Sequence, residues 1–350
     1  MTIGQICNIV GGGTPDTNIK EYWNGGIQWF TPSEVGKEKY VSDSIRTISI
    51  DGLKNSSAKL LPPYSILLSS RATVGECSIN LRECCTNQGF QSAVPKVDIT
   101  STEFLYYRLL THKREFIKKA CGSTFLEISA KQISKLNTFI PERSEQEKIA
   151  DFLSLIDERI SIQNKVIEKY ESLIKALAHE IIGKNAPNTM LSECVCCTSS
   201  TLKESDLSDA GAVPAYGAAG ISGFTDNALS AGDSLLITKD GSGVGSLRYV
   251  SGPHSFVGTL NSMTPRDRFY LPYIYYALQN VSFETYRTGQ AIPHIYFRDY
   301  GKERIFCPGY PDQKRIAIGL ERIESKMLIE RYIKEHLLSV KAYLLNALFI

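Results

Sequence analysis

A long heptad pattern in the middle of the chain constrains the fold more than any other feature. Its ten positions follow one another at alternating spacings of four and three residues: Ile149, Leu153, Ile156, Ile160, Gln163, Ile167, Tyr170, Ile174, Leu177 and Ile181. A 3.5-residue period sustained over about five heptads predicts a coiled-coil seam rather than an ordinary amphipathic helix. At about 1.5 Å per residue the helix would be roughly 55–60 Å long, so it needs a partner of similar length.

The C-terminal stretch, residues 313–348, can supply that partner. Its apolar stripe consists of Ile316, Leu320, Ile323, Met327, Ile333, Leu337, Val340, Leu344 and Leu348. This seam is less regular than the first, because Glu330 and Lys334 occupy strict heptad positions. We predict that the two helices pair, while the residues alone leave the direction of pairing open.

The two helices begin with related sequences. Pro-Glu-Arg-Ser-Glu-Gln-Glu-Lys-Ile-Ala at 141–150 aligns with Pro-Gly-Tyr-Pro-Asp-Gln-Lys-Arg-Ile-Ala at 308–317, an offset of 308 − 141 = 167. Upstream, Ser-Ile-Leu-Leu-Ser-Ser at 65–70 resembles Ser-Leu-Leu-Ile-Thr-Lys at 234–239. A repeat this long indicates duplicated domains rather than a solenoid. The predicted order is globular domain 1–143, helix 144–186, globular domain 187–311 and helix 312–350.

Composition limits the ligands and the cell compartment that we expect for this chain. The formal net charge is only +2, so any phosphate-binding face must come from local clustering of cations. No apolar run reaches membrane-spanning length and no signal peptide is visible, which predicts a cytoplasmic protein. Nine cysteines, an odd number, fit reduced thiols better than a disulfide framework. The Cys-Val-Cys-Cys sequence at 194–197 is weak evidence for zinc, and we predict no metal site.

Loops of the globular domains hold the candidate DNA contacts. Asn and Gln can bond adenine in a bidentate manner and Arg can do so with guanine, although amides in loops are also common turn formers. In the first domain the candidates are Thr14, Lys20, Thr31, Arg71, Thr73, Asn87, Gln88, Gln91 and Ser123. In the second domain they are Tyr216, Lys239, Asn261, Arg287 and Gln290.

The coiled-coil seam supplies the candidate partner-binding residues. These are Ile149, Leu153, Ile156, Ile160 and Ile167 of the first helix, with Ile316, Leu320, Ile323, Leu337 and Leu344 of the second. Catalytic motifs are missing from the sequence: none of the five His lies in an HExxH motif, and we find no nuclease or amino-methyltransferase signature. We therefore predict a non-catalytic binding protein that holds no cofactor.

Several motifs together resemble the specificity subunit of type I restriction-modification systems. They include Gly-Gly-Thr-Pro-Asp at 12–16, Tyr-Trp-Asn-Gly-Gly at 22–26, Leu-Ser-Ser-Arg-Ala-Thr-Val-Gly at 68–75 and Thr-Asn-Gln-Gly at 86–89. The resemblance extends over essentially the whole chain, including the internal repeat. Tyr-Pro-Asp-Gln at 310–313 departs from the usual acidic Glu-Gln sequence at the start of the helix, and the second recognition domain is shortened.

The resemblance implies a concrete function and architecture. Each globular domain would be a mixed α/β target recognition domain that reads one half of a split DNA site. The two helices would form an antiparallel spacer and would dock methyltransferase subunits, with two copies expected, while a motor-nuclease subunit joins for restriction. The methyltransferase would use S-adenosylmethionine on a flipped adenine, and the motor would use ATP and Mg. Neither cofactor is expected to bind this chain itself.

Two other readings remain open from the sequence. The first is a stand-alone restriction enzyme, against which the missing catalytic motifs count. The second is a coiled-coil scaffold or interaction protein whose glycine-rich domains bind something other than DNA. The near-neutral charge leaves this second reading open.

Overall fold

The computed structural model describes residues 1–122, 126–289 and 292–349. The chain divides into two compact units. The first comprises Met1–Ile162 with Lys334–Ile350, and the second comprises Gln163–Ile333. Each unit is a mixed α/β domain joined to one half of each long helix, as the sequence predicted for the fold class. No helix of the described residues is long and apolar enough to cross a membrane.

The first unit is built on two sheets. Its strands are β1 (Cys7–Gly11), β2 (Trp23–Phe30), β3 (Tyr40–Val41), β4 (Arg46–Ile48), β5 (Ile66–Leu68), β6 (Cys77–Asn80), β7 (Cys84–Thr86) and β8 (Gln91–Pro95). Its helices are α1 (Ile3–Ile6), α2 (Ile50–Lys54), α3 (Thr102–Thr111), α4 (Lys113–Lys119) and α5 (Ala130–Ser134), followed by the long helix α6 (Arg143–Ala178). The strand orders are β1-β8-β5-β6-β3 and β4-β2-β7.

The second unit follows the same plan. Its strands are β9 (Thr189–Met190), β10 (Val195–Ser199), β11 (Val213–Gly217), β12 (Gly220–Thr225), β13 (Ser234–Thr238), β14 (Leu247–Val250), β15 (Ser255–Phe256), β16 (Leu260–Pro265) and β17 (Arg304–Ile305). Its helices are α7 (Leu191–Cys194), α8 (Leu271–Leu278), α9 (Phe297–Tyr300) and the long α10 (Tyr310–Leu348). A π-helical turn, His179–Gly183, extends α6.

Sheet topology confirms the internal duplication. The order β10-β16-β13-β14 in the second unit repeats β1-β8-β5-β6 in the first. The small sheet β12-β11-β15 likewise repeats β4-β2-β7, and in each small sheet one pair of strands, β11·β15 or β2·β7, is parallel. The first unit adds β3 at the edge of its larger sheet. The remaining short pair, β17 with β9, lies in the second unit.

A glycine-dependent turn follows the central strand of each larger sheet. Gly75 and Gly245 adopt positive φ values of 89° and 86°, and their amides donate to Ser69 and Thr238 at 2.9 Å. A Cβ atom at Gly75 would lie 2.7 Å from Cγ of Lys113, so a side chain there would be strained for two reasons. The matched Val-Gly pairs of the sequence repeat therefore mark a structurally equivalent turn.

The two long helices pair antiparallel within each unit. In the first unit, Leu153 of α6 shares a core cluster with Leu344 of α10, whereas Asp157, one turn further along α6, pairs with Lys341 at 2.5 Å. Residue numbers along α10 decrease as those along α6 increase, which is the antiparallel direction. The direction implied by the resemblance is therefore confirmed for the helix halves of this unit.

The helix halves of the second unit show the same direction. Gln163 of α6 bonds the side chain and carbonyl of Glu330 of α10, while Ala178, further along α6, shares a core cluster with Ala317 and Leu320. The only polar residue of the first seam thus meets one of the two residues that break the second.

Most seam residues are buried by their own chain. Leu153, Ile156, Ile167 and Leu320 are buried, and Ile149, Ile316, Ile323 and Leu344 pack partly buried against the cores of their units. Ile160 and Leu337 are half-buried. These side chains hold the fold together, so a subunit that docks on the helices must use other faces of them.

A buried glutamine joins each long helix to its globular domain. Gln146 accepts a hydrogen bond from the amide of Ser101 at 3.1 Å and donates to the carbonyl of Ile99 at 3.0 Å. Gln313 accepts from the amide of Tyr270 at 2.9 Å and donates to the carbonyl of Pro308 at 2.8 Å. The same device occurs at both places because the helix start is part of the duplicated sequence.

Candidate nucleic-acid interface

Three loops of the first unit come together beside the central strands. The amide of Gly13 donates to the carbonyl of Thr86 at 2.8 Å, and the hydroxyl of Thr14 bonds the side chain of Gln88. The amide of Ser70 donates to the carbonyl of Gly89 at 2.8 Å. The structure thus brings the loop at 12–16, the turn that begins at Ser70 and the amide-rich loop at 87–91 into one surface.

Both tryptophans of the protein support the first of these loops. The indole nitrogen of Trp29 donates to the carbonyl of Gly13 at 2.9 Å, and that of Trp23 donates to the carbonyl of Asp16 at 3.1 Å. A loop held through its backbone keeps its side chains in a fixed position, which suits recognition. The two rings meet edge to face, with centroids 5.1 Å apart.

The predicted contacts of the first unit fall into distinct environments. Lys20 and Gln88 are exposed, whereas Gln91 is half-buried. Asn87 uses its side-chain oxygen to accept from the amide of Gly89 at 2.8 Å, so it forms the turn and keeps only its amide nitrogen for another partner. Thr31 is part of a capping box, in which its backbone amide donates to the carboxylate of Glu34 at 2.8 Å, and its hydroxyl also donates to that carboxylate at 2.6 Å.

Arg71 is half-buried and already paired. Its guanidinium lies 2.9 Å from the carboxylate of Glu127, and the two side chains are 43% and 38% exposed. Thr73, on the same turn, is exposed and bonds the hydroxyl of Ser69 at 3.0 Å. A DNA contact by Arg71 therefore competes with an ion pair in the protein. Ser123, another predicted contact, lies outside the described residues.

The corresponding turn of the second unit carries a different charge pattern. The carbonyl of Ser70 accepts from the amide of Ile128 at 3.2 Å, and that of Lys239 accepts from Ile295 at 2.9 Å. Lys239 therefore occupies the place of Ser70, and Asp240 occupies the place of Arg71. The two globular domains thus present different side chains on one backbone plan.

Among the predicted contacts of the second unit, Asn261 does not reach the surface. It is 4% exposed, its amide nitrogen donates to Tyr300 at 3.1 Å and its oxygen accepts from Ser199 at 2.8 Å. Because its hydrogen-bonding groups are used inside the domain, we remove it from the candidate interface. Arg287 is exposed and pairs with Glu284 at 3.2 Å.

Tyr216 lies half-buried in the second unit, edge-on to His254 with ring centroids 6.0 Å apart. The guanidinium of Arg248 lies 5.9 Å from the Tyr216 ring. Tyr216 therefore has a positive group beside its ring. Gln290, another predicted contact, lies outside the described residues.

One cation was missed from the sequence. Arg46 of β4 is exposed, and its guanidinium lies over the ring of Trp23. No sequence signal identified it, because Arg46 is 17 and 23 positions from the two tryptophans (46 − 29 = 17, 46 − 23 = 23) and lies in neither the heptads nor the motifs. Its position beside the tryptophan-supported loop adds a positive group to the candidate interface.

Six of the nine cysteines are buried. Burial raises the pKa of Cys85 to about 11 and that of Cys84 to about 12, so both are protonated at neutral pH. Cys194 and Cys307 place their sulfurs 3.8 Å apart in the core of the second unit. Among the described residues, no group of three or more His, Cys, Asp or Glu side chains is arranged to hold a metal ion.

The fold and the loop surface agree with a family comparison. The chain matches the family described as the type I restriction modification DNA specificity domain, over residues 1–172 and 195–339. It belongs to this family, and the match includes both globular domains.

Individual relatives are specificity subunits. The MjaIX specificity subunit of Methanocaldococcus jannaschii is 38% identical over 174 residues, covering 48% of this chain and 40% of that protein. The EcoR124I/EcoR124II subunit of Escherichia coli is 25% identical over 191 residues, covering 49% and 47%. The EcoprrI subunit of Escherichia coli is 21% identical over 355 aligned positions, covering 93% and 87%. The matches to the first two span less than half of those proteins.

Two solved structures share the fold. The S subunit of a type I restriction-modification system from M. genitalium superposes with a TM-score of 0.64 at 19% identity, covering all of this chain and 95% of that one. A chain from a structural study of complex assembly in the type I R-M system gives a TM-score of 0.61 at 15% identity, covering 100% and 96%. Identities this low support the architecture alone.

Proposed function

We propose that this chain is the DNA-specificity subunit of a type I restriction-modification complex and that each globular domain recognises one half of a split site. The observation that carries the proposal is the family match across both globular domains, each of which has the same strand order. Duplicated domains with different side chains at equivalent turns suit two different half-sites. Ser70 and Arg71 correspond to Lys239 and Asp240, so the two domains have diverged where DNA would contact them.

We propose that the chain recognises DNA while its partners perform catalysis. Methyltransferase subunits, in two copies, modify adenine, and a motor-nuclease subunit joins them for restriction. The complex acts in the cytoplasm. The missing catalytic motifs support a non-catalytic role for this chain.

Exposed apolar residues on the long helices support partner docking. In the first unit, Phe152 and Leu155 of α6 are 49% and 60% exposed. In the second, Leu328, Ile329 and Tyr332 of α10 are 56%, 59% and 74% exposed. Apolar side chains at these helix positions lie outside the seam and offer a surface to another subunit.

The test is methyl transfer from labelled S-adenosylmethionine to DNA, with this chain alone, with its methyltransferase alone and with both. The proposal predicts sequence-specific methylation by the pair and none by this chain alone. Transfer by this chain alone would favour the stand-alone enzyme. An assembled pair without sequence preference would favour the scaffold reading.

A paired substitution probes the docking surface. We expect Tyr332→Ser combined with Ile329→Ser to weaken binding of the methyltransferase, because both exposed side chains lose apolar contact area. Lys326→Ser, at another exposed position of the same helix, is the matched control. Equal binding by both variants would remove this face from the proposed interface.

A further inference from the structure

A stacked arginine lies on the small sheet of the first unit. The guanidinium carbon of Arg46 is 3.6 Å from the ring centroid of Trp23 and 5.4 Å from that of Trp29. Arg46 on β4 is paired across the strands with Trp29 on β2. Stacking on an indole restricts an arginine to few conformations, while its in-plane N–H donors remain able to bond an acceptor.

Arg46 differs from two arginines of its domain that form ion pairs. Arg71 forms an ion pair with Glu127 and Arg82 with Asp43, whereas Arg46 has no carboxylate within ion-pair distance in the described part of the chain. A positive group that is exposed, oriented and free of an intramolecular partner is ready for an anionic ligand.

Two lysines lie on elements next to Trp23. Lys20 belongs to a short 3-10 turn that immediately precedes Trp23, and Lys54 ends α2. The turn and the helix pack together, since the amide of Ser49 donates to the carbonyl of Tyr22 at 2.9 Å. Both lysines are exposed, and neither forms an ion pair within the described ranges. Lys20 and Lys54 add positive charge to the elements beside Trp23, and Glu21 and Asp51 on the same elements offset part of it.

The same indoles connect Arg46 to the candidate recognition loop. Trp23 stacks under Arg46 and donates to the carbonyl of Asp16, and Trp29 donates to the carbonyl of Gly13. A ligand that touches the loop at 12–16 therefore passes close to the guanidinium.

We infer that Arg46 is a preset contact to a DNA backbone phosphate in the first recognition domain, with Trp23 holding its guanidinium in place. The inference rests on the proposed function and assigns a phosphate contact to this exposed, tryptophan-stacked arginine. Phosphate contacts fix the register of a protein on the duplex, while bases are read by neighbouring loops. Trp23 acts through Arg46 and through the loop, so it is a positioning residue.

The test is equilibrium binding of the assembled complex with its methyltransferase to a duplex that carries the methylated site, measured across a salt series. We expect Arg46→Ala to weaken binding about tenfold, the effect of losing a charge-assisted hydrogen bond. The slope of log affinity against log salt should become shallower by about 0.9, the value for one phosphate. Arg46→Lys should restore the slope and only part of the affinity.

Controls separate this effect from folding and from base reading. Arg82→Ala removes an exposed, ion-paired cation of the same domain and should leave the slope unchanged, and thermal unfolding of every variant reports stability. An Arg46→Ala complex with wild-type affinity and slope would overturn the inference, as would a change of preference at one base position. Failure of the wild-type complex to prefer its site would instead overturn the proposed function.

Discussion

Buried tyrosines hold each globular domain to a long helix. The hydroxyl of Tyr107 donates to Asp157 at 2.7 Å in the first unit, and that of Tyr276 donates to Glu324 at 2.6 Å in the second. The two carboxylates are 324 − 157 = 167 positions apart, which is the offset of the sequence repeat. Burial and the nearby carboxylates raise the pKa of both tyrosines, so both hydroxyls stay protonated and act as donors.

We predict that Tyr107→Phe lowers the free energy of unfolding by about 1–2 kcal/mol, because a hydrogen bond to a charged group is lost. Asp157 keeps its ion pair with Lys341, which limits the cost. Urea unfolding measures the change. Tyr106→Phe is the matched control, since this neighbouring buried ring has no hydroxyl hydrogen bond among the described residues. Equal destabilisation by both substitutions would show that the Tyr107 hydroxyl has no special role.

Residue types predicted the candidate interface only in part. Asn87 and Asn261 are the same amide in sequence, but one lies at a loop surface and the other inside the domain. The difference depends on distant partners such as Tyr300, which no local pattern reveals. Arg46 was not predicted although it is exposed, because its position depends on stacking with a tryptophan of the neighbouring strand rather than on a motif.

At the level of elements, a polar layer interrupts the apolar seam of the long helices. Gln163 is 6% exposed, and its amide bonds both the side chain and the carbonyl of Glu330. Polar residues at seam positions fix register at a cost in stability. Gln163 and Glu330, which each interrupt the apolar pattern of their own helix, therefore form one specific contact.

We predict that Gln163→Leu alone destabilises the chain by about 1–2 kcal/mol, because Glu330 loses its partner in the seam. The double variant Gln163→Leu with Glu330→Leu should regain wild-type stability or exceed it, since an apolar layer needs no polar partner. Chemical denaturation of the four proteins in the cycle gives the coupling free energy. Additive effects of the two substitutions would argue against a specific polar layer.

Heptad periodicity predicted the two long helices but not the direction in which they pair. Heptad spacing predicted two long elements, and the structure places them at Arg143–Ala178 and Tyr310–Leu348. Their direction could not be derived, because an alternating four-three pattern is the same when read from either end. The order of contacts supplies that missing information, because Leu153 shares a core cluster with Leu344 while Asp157, further along α6, pairs with the earlier Lys341.

For the whole molecule, duplication was readable from sequence while topology was not. The 167-residue offset predicted two related domains, because matched segments survive at the turns and helix starts. Strand order could not be predicted, since the pairing of β1 with β8 joins residues 80 to 88 positions apart (91 − 11 = 80, 95 − 7 = 88). The four assigned segments, 1–143, 144–186, 187–311 and 312–350, stay predictions as independent functional pieces.

The length of the paired helices should set the gap between half-sites. We predict that deletion of one heptad from each helix, residues 158–164 and 333–339, shortens the gap by about three base pairs, at 1.5 Å per residue and 3.4 Å per base pair. Both tyrosine contacts and the heptad register are retained. Methylation-site mapping measures the gap. A deletion variant that assembles, stays active and keeps the parental gap would contradict the prediction that helix length sets the gap.

The most direct test of the central claim is methylome sequencing of cells that express this chain with its methyltransferase. The wild type is compared with a variant in which residues 187–311 come from another family member. Two independent recognition domains predict a split, adenine-methylated site in which the exchange changes one half and preserves the other. An assembled complex that yields no methylated site, or an exchange that changes both halves together, would contradict the account.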